Sequence, residues 1–575
     1  MLLAYVSDER YVALAGVHVE LINRSGASCN VRSGASGSVH ADIPAGEYDV
    51  VLQKAGYGSK RSRVRLGWGV VHFRLLSDGL LGYAWPRCVR SGEQSEFRVH
   101  SVEPYARAFR YGLKKEFVTG LGWHDEHGPR AVMQITPDGD YTQTGVAWNK
   151  TGYHSPHHLQ RVTAPPRSGL YYFHAHTAKG EAFSFPWAVA PAQPQAPIAV
   201  LASDILWNAY NNFGGRSNYI HADELPATPT VNARQELKRY TDPEFKTWGA
   251  ETYVPLSFER PEPINHIDFA EQVTDPIEGR AACHVAPTEW RLLAWLEREG
   301  VACDLYSETQ LHAGVLDLSR YRALVLGPHP EYWTRKMYDR VKAWVFEEGG
   351  RLLYLGGNGL NCEVEIDGER MTVLNTAISN LWPAGMGGAE SRFARRHESE
   401  ANLLGVVFTP AGIMTAAPYR VVDAGHWAFQ DTGLKTGDLF GQKSLHMRCP
   451  GGASGHETDK RSASSPKNVH LLAHGTNDDN GGAEMVTFET PSGGRVFSTG
   501  SICYISSLLV DDGVSQVTQR AQAVSGLTWA GRLACRRQGR PGGAKAGQAA
   551  RPTGLWRRHA ALPCHRRRRR LCPPP

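Results

Sequence analysis

The sequence has no Asp or Glu beyond Asp512, no C-x-x-C pair, and no uninterrupted apolar run long enough for a membrane-spanning helix. The last absence excludes a helical membrane protein, and 41% hydrophobic with 21% charged residues excludes a disordered one. Of ten cysteines, Cys29, Cys88, Cys283, Cys303, Cys362, Cys449 and Cys503 are scattered, and Cys535, Cys564 and Cys572 lie near the C-terminus. Without paired spacing they make neither a zinc nor a redox motif, so free thiols in a reducing compartment are expected. The opening segment carries Asp8 and Glu9 where a secretory signal needs apolar residues, and a cytoplasmic location is expected.

The missing acids also relocate the charge. A formal net charge of +6 conceals 14 Lys and Arg after Asp512, five of them consecutive at Arg566 to Arg570. Before that point 49 basic residues face 57 acidic ones, so the body is acidic and nucleic acid is not implied as its partner. From about Gln519 the chain is rich in Arg, Gly, Ala and Pro without an apolar period. That is the composition of a disordered basic tail, and equally of a GC-rich gene read out of frame.

At roughly 150 residues per domain, 575 residues suggest three or four domains. Residues 1–77 alternate apolar and polar positions in short runs such as Val17-His-Val-Glu-Leu-Ile-Asn, the pattern of a small β-sandwich. The phrase from Ile43 to Leu52, followed by Lys54-Ala-Gly-Tyr, resembles carboxypeptidase-regulatory and transthyretin-like modules. Residues 78–195 again favour strands and predict a second sandwich, closed by the proline-rich linker Pro191 to Pro197.

The pattern then changes. Ile198-Ala-Val-Leu-Ala is a continuous apolar run, as a parallel strand buried on both faces shows. An amphipathic helix from Thr288 to Gly300, strands at Ala302 and Tyr321, a second helix from Lys336 to Glu348 and a strand from Arg351 follow in alternation. Residues 196–517 therefore predict an α/β domain with a mostly parallel sheet, and residues 518–575 the basic tail. In such sheets ligands bind beyond the carboxyl ends of the strands. Three segments have that position: Trp207 to Gly215, Gly327 to Trp333, and Gly356 to Asn361.

The turn Gly327-Pro-His-Pro-Glu-Tyr-Trp stands where class I glutamine amidotransferases carry a nucleophilic cysteine, but holds Glu331 and His329 instead. Glu331 reads as a metal ligand or general base, or as an N-cap acid for the next helix. The run holding Tyr210, Asn211, Asn212, Gly214, Gly215, Asn218 and Tyr219 is too polar for a core element and reads as a binding loop. A competing metal site is His174-Ala-His176, with His154, His157 and His158 upstream, whose i, i+2 spacing puts two imidazoles on one strand face. Gly356-Gly-Asn-Gly lacks the order of a phosphate-binding loop.

Together, the Trp207 to Tyr219 run, Thr228 to Arg234, Tyr253 to Pro261, Gly279 to His284, His329-Pro-Glu-Tyr-Trp and Gly356 to Asn361 resemble the large subunit of the N,N-dimethylformamidase family. The likeness spans roughly Leu80 to Asp512. It implies an amidotransferase-like fold and a mononuclear ferric iron centre held by two tyrosinates and one carboxylate. By motif these map to Tyr210, Tyr253 and Glu331, with Tyr219 a rival to Tyr210. The implied reaction is hydrolysis of a small amide, with His329 and Asn358 orienting water or substrate and Glu457 carrying the proton to the amine. A small partner subunit and a homo-oligomer are the implied setting. A noncatalytic ligand- or carbohydrate-binding protein with a degenerate amidotransferase domain is the alternative.

Overall fold

Residues 1–100, 105–123, 138–146, 161–231, 253–267, 284–374 and 389–524 are described by the computed structural model of the chain. The strand-favouring run Val132 to Thr136 of the second module, His154, His157 and His158, residues 279–283 of the family motif and the tail beyond 524 lie outside them.

Period-two patterning closes the first sandwich. A four-stranded sheet (Ser28–Arg32, His18–Asn23, Gly46–Gln53, Lys60–Leu66) accompanies a three-stranded one (Ser38–His40, Leu2–Ser7, Val71–Arg74). Val19, Leu21, Val50 and Leu52 are buried in its core, while their alternate neighbours reach the surface. A second three-stranded sheet (Arg161–Thr163, Gln94–His100, Leu81–Trp85) belongs to the next module, with a five-stranded one (Lys115–Trp123, Tyr105–Tyr111, Gly169–His176, Ala182–Ala190, Cys88–Arg90). The strand Gly169–His176 is buried at every position. Tyr171, Phe173 and Ala175 pack into the second sandwich's own core, whereas Leu170 and Tyr172 join the large core of the following residues. Burial of both faces explains why this strand lacks polar alternation.

The large core surrounds a nine-stranded sheet. Its strands are β1 (Ile198–Ala202), β2 (Asp304–Ser307), β3 (Ala323–Leu326), β4 (Arg351–Tyr354), β5 (Tyr419–Val421), β6 (Leu439–Phe440), β7 (His470–Gly475), β8 (Glu484–Glu489) and β9 (Arg495–Ser498), in the order β2-β1-β3-β4-β9-β8-β7-β5-β6. From β2 through β9 neighbouring strands are parallel. From β9 through β6 they are antiparallel. The expected parallel sheet is thus present as one half of a mixed sheet in a largely β chain.

Helix α1 (Asp204–Tyr210) follows β1 and is buried throughout. Helix α2 (Ala286–Arg298) has proline in its first turn, Glu289 at the positive end of its dipole and Arg298 at the negative end. Helix α3 (Glu308–His312) starts at a capping box between Ser307 and Gln310. Helix α4 (Arg335–Phe346) is capped by the Thr334 side chain and buries Met337, Tyr338, Val341, Trp344 and Val345. Helix α5 (Asp512–Val524) extends past the expected boundary at 517/518. Its Val514, Val517 and Ala521 are buried, and Thr518 shares a 2.8 Å hydrogen bond with Tyr504. The sequence places the boundary at 517/518 because Thr518-Gln-Arg-Ala-Gln-Ala-Val524, Gln-rich with one large apolar residue, resembles the start of the basic tail. Among the described residues, no helix is long and apolar enough to cross a membrane.

Candidate functional site

The three segments expected beyond the strand ends meet. Tyr210 is the last residue of α1, after β1. His329 and Glu331 lie on the turn after β3, and Asn358 on the loop after β4. A fourth segment, Ser454 to Asp459, closes the site from the other side: Asn358 donates its side-chain N–H to Glu457 Oε2 at 2.8 Å and its backbone N–H to Asp459 Oδ1 at 2.7 Å.

Close backbone approach explains the glycine-rich loop. A Cβ on Gly356 would lie 2.4 Å from the Pro328 carbonyl oxygen, and one on Gly357 would lie 2.6 Å from that of Glu457. These glycines let the turn after β3 and the Glu457 segment touch the loop, a packing role in place of phosphate binding. Asn358 itself takes a left-handed φ of 50°, a conformation asparagine tolerates better than most residues.

The Asn- and Tyr-rich run is held by two buried arginines. Arg216 donates to the carbonyls of Val254 at 2.8 Å and Pro255 at 2.6 Å, and Arg260 to that of Phe213 at 2.7 Å. Asn218 donates to the Tyr332 hydroxyl at 2.6 Å. At Gly214 and Gly215 φ is 99° and 90°, so both need the freedom expected of a binding loop.

Glu331 is buried at 2% exposure and points inward. Thr334 caps α4, so the N-cap role for Glu331 is excluded. Its two oxygens have different neighbours. Oε1 lies 2.5 Å from Arg392 Nη2. Oε2 lies 3.2 Å from the Tyr210 hydroxyl, 3.0 Å from that of Tyr219 and 3.3 Å from His329 Nε2. The Tyr210 and Tyr219 hydroxyls are 2.7 Å apart, and Tyr219 is 2.6 Å from the Tyr332 hydroxyl. Burial, then the Glu331 charge, raises the Tyr219 and Tyr332 phenols well above their ordinary value.

This donor set fits a hard trivalent cation. Oxygens about 3 Å apart span the edges of an octahedron with metal–oxygen bonds of about 2 Å, and carboxylate with phenolate suits a hard ion. Tyr253 is buried in the same core, with its neighbour Val254 tied to the Tyr219 loop through the Ala222 carbonyl at 3.1 Å.

His329 Nε2 also lies 3.4 Å from Glu457 Oε2 and 3.3 Å from Asn358 Nδ2. Burial, reinforced by the Glu331 charge, pushes Glu457 up to about 7. Burial likewise pushes Asp459 up to about 7, while it accepts a 2.7 Å hydrogen bond from Tyr354. Further imidazoles border the site. The His284 ring is 4.7 Å from that of Tyr210 and 5.4 Å from that of His456, and His446 Nε2 is 3.1 Å from His456 Nδ1.

The competing pair is arranged differently. His174 is buried against Phe109 and shares a 2.8 Å hydrogen bond with the Tyr111 hydroxyl, and burial lowers it to about 3. Among the described residues, the one group of three or more His, Cys, Asp or Glu with metal-ligand spacing is Asp339, His397 and Glu398. Lys342 already occupies Glu398 of that group at 2.6 Å. Cys362 is buried, and burial pushes its thiol up to about 12, unlike an activated nucleophile.

Arg392, Tyr332 and Asp459 were not singled out from sequence. Tyr332 adjoins Glu331 and Asp459 lies two residues beyond Glu457, but Arg392 lies in a segment with no local signal.

Residues 116–518 match the family described as N,N-dimethylformamidase beta subunit-like, C-terminal. The chain is 24% identical over 588 residues to the N,N-dimethylformamidase beta subunit of Alcaligenes sp, an alignment covering 84% of this chain and 72% of the other. The corresponding subunit of Paracoccus aminophilus is 24% identical over 587 residues, with coverage of 84% and 72%. Among solved structures, the Bacillus anthracis TIE protein aligns over 35% of each chain at 17% identity, with a TM-score of 0.12 that carries no argument about fold.

Proposed function

We propose, from the premise that this chain belongs to the N,N-dimethylformamidase beta subunit-like family, that it hydrolyses the C–N bond of a small amide at a mononuclear ferric site. N,N-dimethylformamide, giving formate and dimethylamine, is the expected substrate. Membership makes the chain an amidohydrolase; the iron, the products and the roles below are our reading. The observation that carries it is the convergence of the Tyr210 and Tyr219 hydroxyls on Glu331 Oε2, beside His329 and Glu457.

Tyr210 and Glu331 would hold the ion, with the second phenolate from Tyr253, as the motif implies, or from Tyr219, as the hydrogen bonds favour. A bound ferric ion supplies Lewis acidity toward the amide carbonyl and lowers the pKa of water. On this reading Glu331 takes the place that a cysteine holds in class I glutamine amidotransferases, and the parallel half of the sheet is of that type.

The remaining residues handle protons and orientation. An amine leaves poorly unless its nitrogen is protonated. Pushed up to about 7, Glu457 is protonated in about half of the molecules at neutral pH, and Asn358 aims its carboxyl. His329, within 3.4 Å of both carboxylates, can orient the attacking water and accept its proton. The relatives are each named as a beta subunit, which extends the proposal to a partner subunit.

The test is hydrolysis of a panel of small amides with formate and amine quantified. Glu457→Gln should lower kcat by roughly 100-fold or more with little change in melting temperature, and wild-type kcat should fall as pH rises through about 7. Wild-type kinetics retained in Glu457→Gln would remove it as the proton carrier. Iron-loaded protein that binds amides without releasing amine would favour the noncatalytic alternative.

A further inference from the structure

We propose that Arg392 is a positioning residue that makes Glu331 a one-oxygen ligand, holding Oε1 so that Oε2 alone faces the metal-binding hydroxyls. This rests on the iron site proposed above. The two carboxylate oxygens are divided: Arg392 Nη2 is on Oε1 at 2.5 Å, whereas Tyr210, Tyr219 and His329 all approach Oε2.

The guanidinium is preorganised by its chain neighbours. Phe393 N–H donates to the Asn361 carbonyl at 2.8 Å, and the Phe393 ring packs 5.2 Å from that of Tyr338. On the other side the Ser391 hydroxyl donates to Glu400, and Ala394 N–H donates to Ser391 Oγ at 3.0 Å. Arg392 is therefore delivered to Glu331 from a loop fastened at both flanks.

Stability alone does not account for this pair. The Arg392 and Glu331 side chains are 5% and 2% exposed, and a buried ion pair is often no more stabilising than an apolar replacement of similar size. Its specific consequence is directional. A carboxylate free to rotate can present either oxygen or both, and a chelating carboxylate would occupy a position that water or the amide carbonyl needs. A guanidinium on one oxygen prevents that, and by withdrawing charge from the carboxylate it leaves the ion more electrophilic. Lysine can supply the charge, but its point-charge ammonium on a flexible stem does not aim one N–H at Oε1 as the planar guanidinium does.

The experiment compares wild type, Arg392→Lys and Arg392→Met as apo proteins reconstituted with ferrous iron under air. It measures iron affinity, the visible tyrosinate-to-iron band and melting temperature. Arg392→Met should weaken iron binding by about 10-fold or more and shift the band. Arg392→Lys should fold with a melting temperature near wild type, yet bind iron at least about 3-fold more weakly or with a shifted band, and lose kcat with little change in KM. If Arg392→Met fails to fold, Arg392→Lys decides. Wild-type affinity and an unshifted band in Arg392→Lys would overturn the proposal while leaving the iron site intact. A wild-type protein that takes up no iron would overturn both.

Discussion

Glu400 should make the protein lose stability as pH rises from about 5 toward 8. Its carboxyl is wholly buried beside Ser391, and burial pushes it from an ordinary value near 4.5 up to about 8. The folded protein binds this proton more tightly than the unfolded chain does, so the contribution is complete below the unfolded value and is lost as pH rises through about 8. Between those limits the loss is about 1.4 kcal/mol per pH unit. From pH 5 to pH 7 it reaches at most about 2.7 kcal/mol, and roughly half of that if the buried site relaxes around the charge. Asp459, pushed up to about 7 by burial, acts in the same direction. Glu400→Gln mimics the protonated form and should remove only its own share. The assay is the thermal transition of the domain holding Glu400, followed from pH 5 to pH 8 in both proteins. At about 2 to 4 °C per kcal/mol, the difference between them should grow by roughly 3 to 10 °C across pH 5 to 7, the variant becoming relatively more stable. A difference that stays constant with pH would refute the reasoning. Because Ser391 and Glu400 brace the Arg392 segment, loosening here would also reach the site.

Truncation after Val524 should leave the melting temperature unchanged, whereas truncation after Asp512 removes the buried Val514, Val517 and Ala521 and should cost roughly 5 kcal/mol or prevent soluble expression. Equal melting of the two truncated forms would show that α5 does not contribute. Gly357→Ala places a Cβ 2.6 Å from the Glu457 carbonyl oxygen and 2.7 Å from the Ile502 nitrogen, both backbone atoms. Turnover should fall by about 10-fold or more as Glu457 is displaced, and full activity would mean that the contact yields freely.

How much was legible follows from where each signal resides. The run at Ile198–Ala202 announced a strand buried on both faces because its period is absent for a physical reason, and it lies second in the parallel half of the central sheet. Glu331 was legible because an acidic residue directly after Pro328-His-Pro330 on a strand-to-helix turn has few structural uses, and Asn358 because its glycine neighbours mark close backbone approach. The antiparallel half was harder to read: β5 and β6 have three and two residues and are separated by long irregular segments. Arg392 could not be found from sequence, since it reaches Glu331 across 61 residues through the fastening of its flanks, with no periodicity. Tyr210 and Tyr219 could not be ranked by spacing, because the direction of a phenol depends on the loop that Arg216 and Arg260 hold in place.

The central claim is an iron–tyrosinate centre on Glu331, and metal analysis of the purified protein with its visible spectrum tests it most directly. We predict stoichiometric iron and a tyrosinate-to-iron charge-transfer band. Tyr210→Phe should shift or weaken the band and reduce turnover at nearly unchanged melting temperature, Glu331→Gln should lower iron occupancy, and whichever of Tyr219→Phe and Tyr253→Phe has the larger spectral effect identifies the second ligand. Loss of the metal in His174→Ala and His176→Ala, with iron and activity retained in the tyrosine variants, would contradict the account.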